Sequence, residues 1–304
     1  MKAELIISLD CEGRWGMVDN ANSYKAITKS SLNDAYDFIF DILDDQKIKA
    51  TMAFTSLFTV SEAEIKTYTP QFLELANTGN LWYREIVNIV ANDNFDGWIG
   101  NNYFNRCLSE GHELAWHGFT HHELSDYVSK KVLEFELESA SNLHLKQGIS
   151  PETVIFPRNS VGNLNLMKRY GFKCYRDSQY SESSLLKNKI TRVMSEFNIF
   201  ERAQSQNIVR NSSEMIRLPS GLFLNWPNGP RSIVPEYITF LRWKNMLDNA
   251  VKYGGQVHLW FHPHNLITAP KMKNSFLNII NYAGILKRNG DLQSRKMQEL
   301  LVSP

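Results

Sequence analysis

Three histidines and a glutamate crowd into the stretch HGFTHHEL: His117, His121, His122 and Glu123. Imidazole and carboxylate are the donors of catalytic zinc-type sites, which use about three protein ligands and leave a position for water. His117 and His121 are four residues apart. On a strand-to-helix turn that spacing can aim both rings at one point. A carboxylate is still needed, and Asp10 or Glu12 in SLDCEG could supply it. The plain alternative is a set of surface or helix-capping histidines. Against it stand Asp10, Arg158 and His262, which share a predicted location with the histidines.

That location follows from the elements. ELIISL (4–9) is short, apolar and β-branched, and reads as a buried strand. SLNDAYDFIFDILDD reads as a helix, with Ser31 three residues before Asp34 in a capping-box arrangement. Leu32, Tyr36, Ile39 and Leu43 fall on one of its faces. Further strands are predicted at 50–55, 112–116, 153–156, 172–176, within EMIRLPS, and at 256–261. Helices are predicted in pieces over 70–110, from Ser125 to Gln147 before GISP, in NLNLMKRYG, and at 185–204 and 235–252. The tail after Pro270 reads as mostly helix. Repeated βα units demand parallel strands with helices outside, hence a barrel or a doubly wound sheet. No repeat or linker interrupts residues 1–304, so one domain is expected, with 56–110 as an insertion or lid and 266–304 as C-terminal helices.

DCEGRWG, HGFTHHE, PRNSVG and HPHN each follow a predicted strand directly. In parallel α/β folds the C-terminal strand ends share one rim, and active sites collect there. NWPNGPR (225–231) is a proline- and glycine-punctuated loop expected on that rim, where it would shape substrate binding.

SLDCEG, GHELAWHGFTHHEL, GISPETVIFPRNSVGN, YGFKCYRDS and VHLWFHPHN stand in the order of the motifs of the polysaccharide deacetylases. These are the NodB-homology enzymes of carbohydrate esterase family four, and GHELAWHGFTH resembles their most specific block. The resemblance implies an α/β fold, a distorted (β/α) barrel of about seven parallel strands. It implies one divalent metal, zinc foremost, with Co, Ni, Mn or Fe as alternatives. Residue by residue, it makes His117 and His121 metal ligands with Glu12, and Asp10 the catalytic base. Arg158 resembles the arginine that holds the base, and His262 the histidine that protonates the leaving amine. The usual adjacent acids appear here as Asp10-Cys11-Glu12, and the usual Arg-x-Pro as Pro157-Arg158-Asn159. DCEGRWG resembles the branch tied to surface-polysaccharide synthesis. The implied reaction is removal of an N-acetyl group from an acetamido sugar or glycan precursor, lipid- or nucleotide-linked.

Several residues keep two readings. Trp15, Trp82, Trp226 and Trp260 could stack on a sugar, with core packing the leading role for any single one. Asp177 lies at a strand end, where it could orient a site residue or bind substrate, and His264 could bind substrate or replace His262 as the acid. His122 is expected to face solvent or back the ligands, and Glu123 to begin the following helix. His258 shares strand phase with Trp260 and points inward as a hydrogen-bonded histidine or behind the site.

The composition sets limits. A net charge of +1 gives no electrostatic case for nucleic acid. Three scattered cysteines, Cys11, Cys107 and Cys174, make no disulfide framework and fit a reducing compartment. The apolar run near the start is too short for a signal peptide or a membrane span. A cytoplasmic protein is expected, with peripheral membrane association left open. Three other functions compete: hydrolysis of an N-formyl sugar or small cyclic amide, sugar binding without catalysis, and an iron oxygenase built on His121, Glu123 and His262.

Overall fold

The computed structural model describes residues 2–177, 189–200 and 215–301. Nine parallel strands form its sheet: β1 (Ala3–Cys11), β2 (Thr51–Phe54), β3 (Glu113–Trp116), β4 (Thr153–Ile155), β5 (Cys174–Arg176), β6 (Ile216–Leu218), β7 (Leu222–Phe223), β8 (Gln256–Phe261) and β9 (Leu292–Arg295). They lie in the order β6-β5-β4-β3-β2-β1-β8-β7, and β9 pairs with the first half of β1. β6 pairs with β5 and β7 with β8, so residues 216–223 act as one interrupted stave between the two edges of the curled sheet. Seven staves plus β9 is the expected α/β barrel-type architecture, distorted where that stave breaks. Gly221 lies at the break with φ +70°, and a Cβ there would stand 2.5 Å from the His258 carbonyl oxygen.

β1 is buried along its whole length, as a strand covered on both faces must be. Leu5, Ile7, Leu9 and Cys11 pack into the large apolar layer under the helices. Ile6 faces inward with Ala53, Ala115, Ile155, Cys174 and Leu218. Three of these inward residues, Ala53, Ala115 and Cys174, are small, which leaves room for polar side chains in the same interior: Ser8, Asp10, Glu113, Arg176 and His258 are all buried.

The helix Lys29–Asp45 buries Leu32, Tyr36, Ile39 and Leu43 as its periodicity predicts. Its cap is Thr28, whose side chain exchanges bonds with Ser31; the pairing of Ser31 with Asp34 is not the capping box. The helix Lys130–Gln147 starts at Ser129 rather than Ser125, so Glu123 precedes it by a turn and does not begin it. Of the helix predicted over 185–204, Lys189–Glu196 is helical, and 185–188 and 201–204 lie outside the described residues. The tail contains the helix Met272–Arg288 and then β9, which its polar sequence LQSR does not announce. No described helix is long and apolar enough to cross a membrane.

Candidate metal and catalytic site

Asp10 is the penultimate residue of β1, and Glu12 follows that strand directly. His117 follows β3, and the chain then turns back through Gly118 (φ +79°) and His121 (φ +66°). The result is a buried cluster. Glu12 Oε2 lies 3.0 Å from His117 Nε2 and 2.6 Å from His121 Nε2. One ligand atom from each of the three falls within 4.8 Å of the others.

The hydrogen-bond partners fix the tautomer of one ring in this cluster. His117 Nδ1 lies 2.7 Å from the Ile155 carbonyl oxygen, which can only accept. Nδ1 therefore carries the proton, and in the neutral ring Nε2 presents a lone pair to a carboxylate oxygen. The His117 lone pair and the Glu12 carboxylate thus face each other, and a cation between them would resolve that repulsion. A divalent ion fits this donor set, with one backbone carbonyl fixing the tautomer of a ligand from behind.

Without an ion, burial and the neighbouring charges set the pKa values of these groups. Burial alone would raise the Glu12 pKa, but His121, His262 and His117 outweigh it and hold the carboxyl well below its ordinary range. Burial pulls His117 down, yet its bond to Glu12 and the charges of Asp10 and Glu12 leave it raised. His121 ends lowered, because burial wins over Glu12 and because His117 and Arg158 are like charges.

A buried glutamate shapes the loop. Glu136, fully buried in the helix Lys130–Gln147, accepts from Phe119 N at 2.8 Å, from Thr120 N at 3.1 Å and from Tyr83 Oη at 2.7 Å. The Thr120 hydroxyl also bonds to it, and accepts in turn from Trp82 Nε1 at 3.1 Å. Trp82 stands 6.2 Å from the His121 ring, so the segment predicted as an insertion forms a wall beside the ligands. His122 turns away to stack on Tyr83 at 5.7 Å and to meet Asn80 at 3.3 Å. Glu123 is exposed, so the acid at the histidines is Glu12 and the arrangement for an oxygenase is not formed.

Asp10 is held by an arginine, but not by Arg158. Arg176 Nη1 and Nη2 each donate to one Asp10 oxygen at 2.7 Å, a buried fork-to-fork pair. Arg158 instead pairs with Asp19 at 2.7 Å and lies over Trp82 at 4.8 Å. It sits in a turn with φ +56°, beyond the end of β4, while Arg176 is the last residue of β5 and in phase with inward-facing Cys174. That alternation was the available signal. Burial raises the Asp10 pKa, but Arg176, His117 and His262 reverse this and leave it lowered.

Arg176 is itself braced. Its Nη1 donates to Ser8 Oγ at 3.1 Å, and its guanidinium lies 4.3 Å from the Trp260 ring centre. His258 Nδ1 donates to the Pro219 carbonyl at 3.0 Å, so its Nε2 accepts from Ser8 Oγ at 2.8 Å. His258 thus stands behind the site, held neutral by burial and by Arg176 with its pKa lowered to about 3.

His262 Nε2 is 3.8 Å from both Asp10 Oδ2 and Glu12 Oε1. Asn265 Oδ1 accepts from the His262 backbone N–H at 3.1 Å, so it is also an acceptor for Nδ1 at 3.2 Å. Nε2 is thereby turned to the carboxylates. His264 Nδ1 lies 3.9 Å from Glu12, but burial and His262 lower its pKa to about 3. His262, His264, Glu12 and Trp226 line one cavity of about 360 Å³. Trp15 does not: it is fully buried, edge-on to Trp98 with its Nε1 on the Trp98 carbonyl. Asp177 points the other way from Arg176 and bonds Arg217 Nε at 2.7 Å.

Solved structures share the fold. A Mycobacterium smegmatis protein named as a polysaccharide deacetylase aligns at TM-score 0.59 and 13% identity, over 98% of this chain and 89% of its own. One of the same description from Pseudomonas aeruginosa PAO1 aligns at 0.57 and 11%, over 98% and 89%. PuuE allantoinase aligns at 0.59 and 13%, over 98% and 88%. At these identities the likeness speaks for the fold. No curated protein matches the sequence. The model of the polysaccharide deacetylase family matches residues 23–174, a stretch that carries His117, His121 and Glu136, while Asp10, Glu12 and His262 lie outside it. By that match the chain belongs to the polysaccharide deacetylase family.

Proposed function

We propose that this protein is a metal-dependent hydrolase that removes the N-acetyl group of an acetamido sugar in a glycan or glycan precursor. The observation that carries the reading is one carboxylate oxygen of Glu12 between two imidazole nitrogens, one of them with its lone pair fixed toward it. Glu12, His117 and His121 would hold the ion, with zinc the best match to this donor set. When bound, such an ion acidifies water and polarises a carbonyl oxygen.

The chain's own residues supply the proton transfers. Asp10 takes the proton lost as water adds to the amide carbonyl. Arg176 keeps Asp10 ionised and fixed through its two bonds. As the C–N bond breaks, nitrogen takes a proton from His262 Nε2, because an unprotonated amine leaves poorly. His262 is the better acid of the two candidates: its side chain is 25% exposed at the cavity and faces both carboxylates, whereas His264 is held neutral by burial. Acetate and the free amino sugar result. Residues 1–304 are read as one catalytic domain.

The test is acetate release from N-acetylated sugars by protein stripped with a chelator and then reloaded with Zn²⁺, Co²⁺, Ni²⁺, Mn²⁺ or Fe²⁺. Turnover that disappears with stripping and returns with one equivalent is expected. Formate from N-formyl sugars, or ring opening of a small cyclic amide, with no acetate, would move the substrate to another amide. Metal-independent turnover, or none on any amide, would overturn the reading.

A further inference from the structure

The cavity above Glu12 and His262 has a wall that hydrolysis itself does not use. Phe223, Trp226 and Trp260 contribute aromatic rings, and Arg231 stands beside them. The rings of Phe223 and Trp260 are each 5.9 Å from that of His262, so this wall continues directly from the proposed acid. Arg231 closes the loop NWPNGPR, where a 3₁₀ turn spans Gly229–Ile233.

The surroundings of Arg231 pair its charge only loosely. Its side chain is 25% exposed, and the guanidinium lies 5.9 Å from the Phe223 ring centre. Among the described residues that guanidinium makes no hydrogen bond. The nearest carboxylate oxygen, Glu196 Oε1, is 3.9 Å away, and the other oxygen of Glu196 already accepts from Arg242 at 2.7 Å. A guanidinium offers five donors in a planar fork that matches carboxylate or phosphate. Withdrawing three-quarters of it from water with its nearest described carboxylate at 3.9 Å is costly, so a ligand that brings an acceptor to hydrogen-bond distance gains at that position.

We propose that Arg231 makes this cavity a subsite for a sugar that carries a negative charge, as a carboxylate or a phosphate, in addition to the N-acyl group. This rests on the carbohydrate-amide reading above. The sugar ring lies against the aromatic wall, its amide near His262, and its anionic substituent on Arg231.

Binding can be read without turnover. Metal-stripped protein is titrated with N-acetylglucosamine, its 1-phosphate, its 6-phosphate and N-acetylglucosaminuronic acid, following tryptophan emission. At least one charged sugar is expected to bind roughly ten- to a hundredfold more tightly than the neutral one, as a charge-assisted contact would give. The advantage should shrink as salt rises. Arg231→Met should remove it and Arg231→Lys should restore part. The phosphates or the uronate leading tells which anion the site takes. Equal binding of charged and neutral sugars by the wild type, or a preference that survives Arg231→Met, would overturn the proposal. The salt dependence needs no variant and decides the matter if Arg231→Met fails to fold. Sugar binding of the expected pattern with no acetate release would overturn the deacetylation reading alone. If no sugar binds, charged or neutral, the subsite is wrong.

Discussion

Glu12 and Glu113 are both glutamates buried in the interior of the same parallel sheet, at opposite ends of its strands. Glu12 follows β1 and Glu113 opens β3. Burial is the largest influence on each and pushes each pKa up. Yet Glu12 ends well below the ordinary carboxylate range and Glu113 ends above it. The partners make the difference. Glu12 faces histidines, whereas Glu113 accepts from neutral donors: Thr51 Oγ1 at 2.6 Å, Thr153 Oγ1 at 2.5 Å and the Gln298 backbone N–H at 3.0 Å. Thr51 Oγ1 accepts from Met297 N at 2.9 Å, so the Glu113 cluster ties the segment after β9 across the lower mouth of the sheet. One end gathers a carboxylate and two imidazoles that could hold a cation. The other uses a carboxylate as an acceptor to close the fold.

Removing Arg176 should make the upper end behave like the lower. Today Asp10 has a lowered pKa, so its contribution to stability is present above the ordinary carboxylate range and fades as pH falls through the depressed value. With Arg176→Leu the carboxylate is buried unpaired and its pKa rises, so stability is lost as pH rises instead. Urea unfolding should show a loss of about 3–5 kcal/mol at neutral pH, and less in mild acid. A loss that does not depend on pH would mean that Arg176 acts through packing against Trp260, not through Asp10.

A smaller effect is expected at Glu136. Glu136→Gln keeps the shape but replaces one acceptor oxygen by a donor facing the loop that carries His117 and His121. Metal affinity should fall about 10–100-fold, with stability lowered by about 1–3 kcal/mol. Titration with Co²⁺, whose visible spectrum reports ligand geometry, measures both the affinity and any change in the site. Unaltered affinity and spectrum would make Glu136 a helix anchor with no bearing on the ligands.

The smallest effect should come at Glu113. Its raised pKa means that the folded chain holds the proton more tightly than the unfolded one. Stability is therefore full below the ordinary carboxylate range and declines as pH rises through the raised value. Glu113→Gln can keep its bonds, since an amide can donate to Thr153 Oγ1 while that hydroxyl turns to Cys174 Sγ at 3.2 Å. A change within about 1 kcal/mol and a flatter pH dependence are expected in thermal unfolding across pH. A loss as large as that of Arg176→Leu would erase the contrast between the two ends.

Much of the upper end is legible in the sequence because its residues follow apolar strands directly. Asp10, Glu12, His117 and His262 are found by asking what comes after ELIISL, HELAW and QVHLWF. Arg176 was harder. Two arginines, Arg158 and Arg176, follow or end strands, and the choice depends on strand phase and on a positive φ that no local pattern reveals. Glu136 looks like one more acid in a charged helix, and its task appears only when that helix packs under the histidine loop. Glu113 and β9 are hidden for a related reason. A polar strand such as LQSR has no hydropathy signature, and a carboxylate satisfied by hydroxyls depends on contacts as remote as Gln298.

The central claim is that Glu12 holds the ion while Asp10, fixed by Arg176, moves the proton. The most direct measurement is metal content per chain, with acetate release, for Asp10→Asn beside Glu12→Gln. Expected is one tightly bound divalent ion in Asp10→Asn with turnover lost, and loss of the ion in Glu12→Gln. An ion lost from Asp10→Asn but kept by Glu12→Gln would contradict it and exchange the roles of the two acids.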